Sequence, residues 1–141
     1  MNGDGYGIHE DGNTLSYDAI DEYYKEKFPN LNFSYREHIE PRVQDLIIDT
    51  IMSVRADLNA SKRNNFFELF GFDFLIDEDY RTWLIECNTN PYLGVPNKFI
   101  KDLLPKMVDD MLELILDEKY PRANPKTDDR LNDFKLLYRC T

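Results

Sequence analysis

Three oxygen-bearing side chains stand in the stretch FFELFGFDFLIDEDYRTWLIECNTNPY, Phe66 to Tyr92. Asp73 interrupts one apolar run; Glu86 lies thirteen residues further on, at the end of a second run, and Asn88 follows two later. Two carboxylates and an amide are the donors of a hard divalent cation. Mg²⁺ takes oxygen ligands at about 2.0–2.1 Å and commonly binds through one or two carboxylates plus substrate phosphates. Zinc suits the set less well, because no histidine lies nearby and Cys87 points away from its two neighbours along a strand.

For these groups to act together, a hairpin must bring them to one face. Phe66–Ile76 and Trp83–Cys87 are rich in aromatic and branched residues and read as strands. If Glu78–Arg81 is a four-residue loop, Asp77 pairs with Thr82 and Asp73 sits opposite Glu86, with Cβ atoms roughly 4.5–5.5 Å apart. A register shifted by one would put them on opposite faces. Facing carboxylates on a half-buried face repel, and burial disfavours their charged forms, so a cation would compensate. The plainer alternative is three polar side chains pointing to solvent. Gly71 leaves room on the same face for a ligand, a bulge or a packing contact.

The flanking elements read as helices. Ser16–Lys27 has Ser16 as a candidate N-cap. Val43, Ile47, Ile51, Val54 and Leu58 mark one face of a helix from about Pro41 to Asn59, with Pro41 in its first turn. Asn97–Tyr120 repeats the pattern with Leu104, Val108, Met111 and Ile115, interrupted by Pro105. Pro121 and Pro125 bracket a linker, and Leu131, Phe134 and Tyr138 suggest a short C-terminal amphipathic helix. The expected class is α+β, with an antiparallel hairpin packed with helices. Trp83 and the phenylalanines at 66, 67, 70, 72 and 74 are expected in the core. Two strands make a poor sheet alone, and this pair reads as one that expects partner strands.

With 141 residues and 42% hydrophobic side chains, the chain should fold as one domain. Its net charge of −10 argues against binding nucleic acid or an anionic membrane unaided. No apolar run is long enough to span a bilayer, and the polar, glycine-rich start is unlike a secretory signal. Cys87 and Cys140 make no disulfide framework, which suits a reducing compartment. No phosphate-loop motif is present. The segment DEDYRTWLIECN mimics an EF-hand start, but has Thr82 in place of the turn glycine and Asn88 in place of the bidentate glutamate. His9 and His38 are isolated and read as surface or capping residues.

The motif FELFGFDFLIDEDYRTWLIECNTNP closely resembles the C-terminal signature of the tubulin–tyrosine ligase family, which has an ATP-grasp-like fold. The loop YGIHEDGNTLSY and the helix after NTNPYL are similar as well, so the resemblance covers roughly residues 6–121. It implies that residues 1–121 are the C-terminal portion of a catalytic domain, and that 122–141 are a linker and short helix. It implies Mg²⁺ and ATP as cofactors, held by Asp73, Glu86 and Asn88, with Glu86 bridging two ions as the central catalytic residue. The implied reaction joins an amino-acid co-substrate to a carboxylate of tubulin through an acyl phosphate, in the cytoplasm, at the cytoskeleton or in a cilium. By the same resemblance, lysines that contact the ATP phosphates and much of the tubulin-binding surface belong to a half upstream of Met1. The chain is therefore expected to be a metal-binding half-site, incomplete as a ligase; the alternative is a truncated, non-catalytic interaction module that kept the fold. Neither the amino acid nor the acceptor is chosen by these residues.

Overall fold

The computed structural model describes residues 14–63, 66–95, 97–117, 119–121, 123 and 132–139. They fall into two compact units, one spanning Leu15–Tyr92 and one containing Leu93–Arg139. The architecture is α+β, with four α-helices and a two-stranded antiparallel sheet among the described residues.

In the first unit, helix α1 spans Tyr17–Lys27 and is capped as expected: the Ser16 hydroxyl accepts from the Ala19 N–H at 3.1 Å. It stops at Phe28, before Pro29, and the chain turns back beneath it. Asp21 then pins the returning strand of chain. Its Oδ1 accepts from the Tyr35 N–H at 2.6 Å and its Oδ2 from the Ser34 hydroxyl at 3.3 Å. A wide π turn, Tyr35–Ile39, runs straight into helix α2, Glu40–Ser53, with Pro41 in the first turn.

The buried apolar core among the described residues is Phe33, Tyr35 and Ile39, the last with no exposed surface. Ile20, Tyr24, Val43 and Tyr80 pack around it. Tyr17 stacks on Tyr35 with ring centres 4.0 Å apart. Burial, reinforced by the Tyr17 hydroxyl, raises the Tyr35 phenol well above its ordinary value of 10.0. His38 is exposed, with its Nδ1 3.2 Å from the Ser34 nitrogen and 3.0 Å from the Ser34 carbonyl oxygen, in keeping with the surface or capping role expected of it; His9 lies outside the described residues.

The long helix expected to reach Asn59 breaks at Val54, and only the short α3, Arg55–Leu58, continues. Thr50 and Ser53 return their hydroxyls to the carbonyls of Leu46 and Thr50 at 2.6 and 2.7 Å, which competes with the backbone ladder ahead of the break. Val54 and Leu58 are exposed, so the apolar stripe outlasts the surface it covers.

The hairpin consists of β1, Gly71–Ile76, and β2, Thr82–Asn88. Its aromatics do not form the core that the sequence suggests. Phe66, Phe67 and Trp83 are exposed, Trp83 by 53%. The physical reason is that a two-stranded sheet has two faces and two edges to cover, and one helix, α2, against β2 does not cover them.

In the second unit, helix α4 spans Lys98–Leu112, begins with Asn97 capping the Ile100 N–H at 2.9 Å, and passes into a π turn, Glu113–Asp117. It runs through Pro105 rather than restarting there. Asp110, 1% exposed, accepts from the Asp133 N–H at 3.1 Å and faces Lys106 Nζ at 3.7 Å, while Lys106 also pairs with Asp133. Asn132 donates to the Asp110 carbonyl at 2.9 Å and to Glu113 at 3.2 Å. Residues 132–139 therefore dock on α4 as irregular chain, not as the helix expected around Phe134 and Tyr138; Leu131 lies outside the described residues.

Candidate metal centre

The pairing of β1 with β2 sets Asp73 opposite Glu86 and Gly71 opposite Asn88, while Phe72 and Cys87 share the other face. The expected pair is therefore present, but the path to it differs. Ile76 pairs with Thr82, Leu75 with Trp83 and Phe74 with Leu84, so the connection is the five residues 77–81 and Asp77 is not paired with Thr82. A β-bulge then inserts Ile85 between the Phe74–Leu84 and Asp73–Glu86 pairs and restores the alignment at the carboxylates.

The Asn88 amide lies between the two carboxylates. Its Nδ2 donates to Glu86 Oε1 at 3.0 Å and to Asp73 Oδ2 at 3.4 Å. Asp73 and Glu86 are exposed rather than half-buried, so water and this amide relieve their repulsion and burial contributes no compensating demand. Among the described residues no three His, Cys, Asp or Glu side chains gather to hold a metal; the constellation is two carboxylates and an amide. That donor set still fits Mg²⁺: it is all oxygen once the Asn88 amide turns its Oδ1 inward, it is open to solvent, and it leaves positions for water or phosphate. Gly71 serves packing. A Cβ there would lie 3.0 Å from the Pro91 Cβ, so its missing side chain admits Pro91, not a ligand.

The turn that fixes the hairpin depends on Asp77, which the sequence reading passed over. Its Oδ1 accepts from the N–H groups of Asp79 and Arg81 at 3.0 and 2.9 Å, and its Oδ2 from Trp83 Nε1 at 2.9 Å. The Trp83 hydrogen bond, then the Arg81 backbone bond, hold the Asp77 carboxyl below its ordinary value of 3.8. An Asp opening a D-x-D-x-R turn is the signal that could have found it. Tyr80, in the left-handed region at φ 61°, reaches back to the core and packs on Phe33 and Tyr24 with ring centres 5.2 and 5.9 Å away.

Residues 6–126, which contain the whole hairpin and α4, match the tubulin-tyrosine ligase family. The chain belongs to that family. Among its relatives, tubulin glycylase 3A of Drosophila melanogaster is 34% identical over 103 residues, which is 73% of this chain and 10% of that protein. Tubulin glycylase 3B of Tetrahymena thermophila is 29% identical over 105 residues, 74% of this chain and 9% of the relative. A probable alpha-tubulin polyglutamylase of the same ciliate is 31% identical over 102 residues, 68% of this chain and 24% of that protein. The chain thus spans about a tenth of the two glycylases. The loop YGIHEDGNTLSY, part of the family match, lies mostly outside the described residues. No described helix is long and apolar enough to cross a membrane.

Proposed function

We propose that this chain carries the metal-holding hairpin of an ATP- and Mg²⁺-dependent ligase that joins an amino acid to a carboxylate of tubulin, acting at the microtubule cytoskeleton. The supporting observation is the direct opposition of Asp73 and Glu86, with the Asn88 amide between them, inside a segment of the tubulin-tyrosine ligase family. The named activities of its relatives, glycylation and polyglutamylation of tubulin, supply the reaction class.

Asp73, Glu86 and Asn88 would hold magnesium, which when bound neutralises charge on the phosphate oxygens of ATP. Glu86, opposite Asp73 and hydrogen-bonded to Asn88, would supply the carboxylate central to that set, the role the family resemblance implies for it. In the proposed reaction the acceptor carboxylate attacks the γ-phosphorus of ATP, releasing ADP and forming an acyl phosphate. The amino group of the incoming amino acid then attacks the acyl carbon, and inorganic phosphate leaves as the amide forms. The hairpin's own contribution is to fix the carboxylates by strand pairing and keep them open to solvent.

Calorimetric titration with Mg²⁺ and ATP tests the reading. Saturable binding is expected, weakened at least about tenfold in Glu86→Gln and in Asp73→Asn. In an active preparation, Glu86→Gln is expected to lower ATP-dependent ligation to tubulin by about 100-fold or more. Undiminished ligation in that variant would refute the assignment.

A further inference from the structure

Of the three groups in the candidate metal set, only the Asn88 amide can both donate and accept hydrogen bonds; the two ionised carboxylates only accept. In the arrangement described above it donates. Its Nδ2 faces Glu86 Oε1 at 3.0 Å and Asp73 Oδ2 at 3.4 Å, and the NH₂ group has one hydrogen for each acid. Charge decides which end of the amide points there, since a carbonyl oxygen in that place would meet two anions. An N–H group cannot ligate a cation. The arrangement that ties the acids together and the one that presents Oδ1 to magnesium therefore exclude each other.

The amide is built to pass between the two. Strand pairing with Gly71 holds the Asn88 backbone, and a Cβ at Gly71 would lie 3.9 Å from the Asn88 Cβ and 3.0 Å from that of Pro91, so this end of the hairpin is closely packed. Rotation about the Cβ–Cγ bond is still open, a broad torsion in which a half-turn exchanges oxygen and nitrogen. The oxygen is free to make that turn. At Asn59, Asn97 and Asn132 the Oδ1 accepts from the backbone N–H of Arg63, Ile100 and Phe134 at 2.8, 2.9 and 3.0 Å. Among the described residues nothing donates to the Asn88 Oδ1, and its only hydrogen bonds are the two that its nitrogen gives to the acids.

Resting on the Mg²⁺ reading above, we propose that Asn88 is a positioning residue with two settings: its N–H groups hold Asp73 and Glu86 together, and a half-turn of the amide brings Oδ1 to the cation. The same side chain thus competes with the metal as well as ligating it. On turning back it gives the acids their donors again, which helps to displace the ion at the end of a reaction cycle. An aspartate at this position could ligate but could not take the donor's part.

The test follows Asn88 by NMR in the full chain labelled with carbon-13 and nitrogen-15, its side-chain signals identified by their loss in Asn88→Asp. Without divalent cation, the Asn88 amide protons are expected to resonate apart from those of the exposed Asn90 and to move toward them in Glu86→Ala. On titration with Mg²⁺ and ATP, the same protons are expected to move toward the Asn90 position while the Asn88 Cγ moves downfield, both saturably. Calorimetry gives a second readout. Asn88→Ala removes ligand and competitor together and is expected to change Mg²⁺–ATP affinity by less than about threefold, whereas losing a ligand alone should cost about tenfold or more. Amide protons that match Asn90 without cation, or a tenfold loss in Asn88→Ala, would overturn the two settings. Saturable heat with the Asn88 signals unmoved would overturn this inference alone; no saturable heat with Mg²⁺ and ATP would overturn the functional reading and this inference together.

Discussion

At Asp77 one carboxylate takes three donors, two from the turn backbone and one from the Trp83 indole, and this depresses its pKa. A depressed carboxylate contributes stability that is complete above the unfolded value, near 3.8, and is lost as pH falls through the lower folded value. Acid titration followed by Trp83 emission is therefore expected to show the indole released below pH 3.8, before or together with global unfolding. Asp77→Ala should show the released emission already at neutral pH; emission unchanged in that variant would mean the indole is held otherwise. The meeting of Asp73, Glu86 and Asn88 on one face was legible in the sequence because strand alternation and cross-strand pairing are local rules that residue types obey. A cleft between α2 and the turn of the hairpin was not legible, because Arg42 and Arg81 come to line it only once α2 and β2 are set side by side. The exposure of Asp73 and Glu86 was also illegible: the pattern shows which side chains share a face, not whether anything covers it.

Among the elements, the helical half of the first unit owes its order to a very small core. Ile39 is its one fully buried apolar side chain, at the junction of the π turn and α2. Ile39→Ala is expected to destabilise the protein by about 2–5 kcal/mol, measured by urea unfolding of the helical signal. At the hairpin, Gly71→Ala presses a methyl group against Pro91 at 3.0 Å and should cost about 1 kcal/mol through overpacking. If Gly71 instead made space for a ligand, the alanine variant would keep its stability and lose Mg²⁺ binding. Sequence reasoning found α1 through its Ser16 cap, α4 through its apolar stripe and β1 and β2 through their composition. It overran α2, since a stripe of period 3.6 says nothing about hydroxyls that compete for the ladder at Thr50 and Ser53. It placed Trp83 inside for a similar reason. Hydrophobicity names candidates for burial, and the packing partners decide.

For the whole molecule, charge and apolar exposure act against each other. A net charge of −10 repels copies of the chain, while Leu75, Ile76, Trp83 and Ile85 on the hairpin are exposed and β1 and β2 pair, among the described strands, only with each other. Sedimentation velocity is expected to show single chains at low ionic strength and growing association at about 0.5 M salt, where the Debye length is only a few ångströms. Association that weakens with salt would mean that ion pairs, not apolar surface, join the copies. The bulge at Ile85 has a different consequence, one for how such chains vary. In a regular hairpin, adding or removing one residue at the turn would slide one strand past the other and turn one of the two acids to the opposite face. Here the slack is taken up between the turn and the carboxylates, so the turn's length and the facing of Asp73 and Glu86 are separate variables. Descendants of this chain could trade a residue at the tip without surrendering the pair, and a search that insists on a fixed interval between the two acids would pass them by.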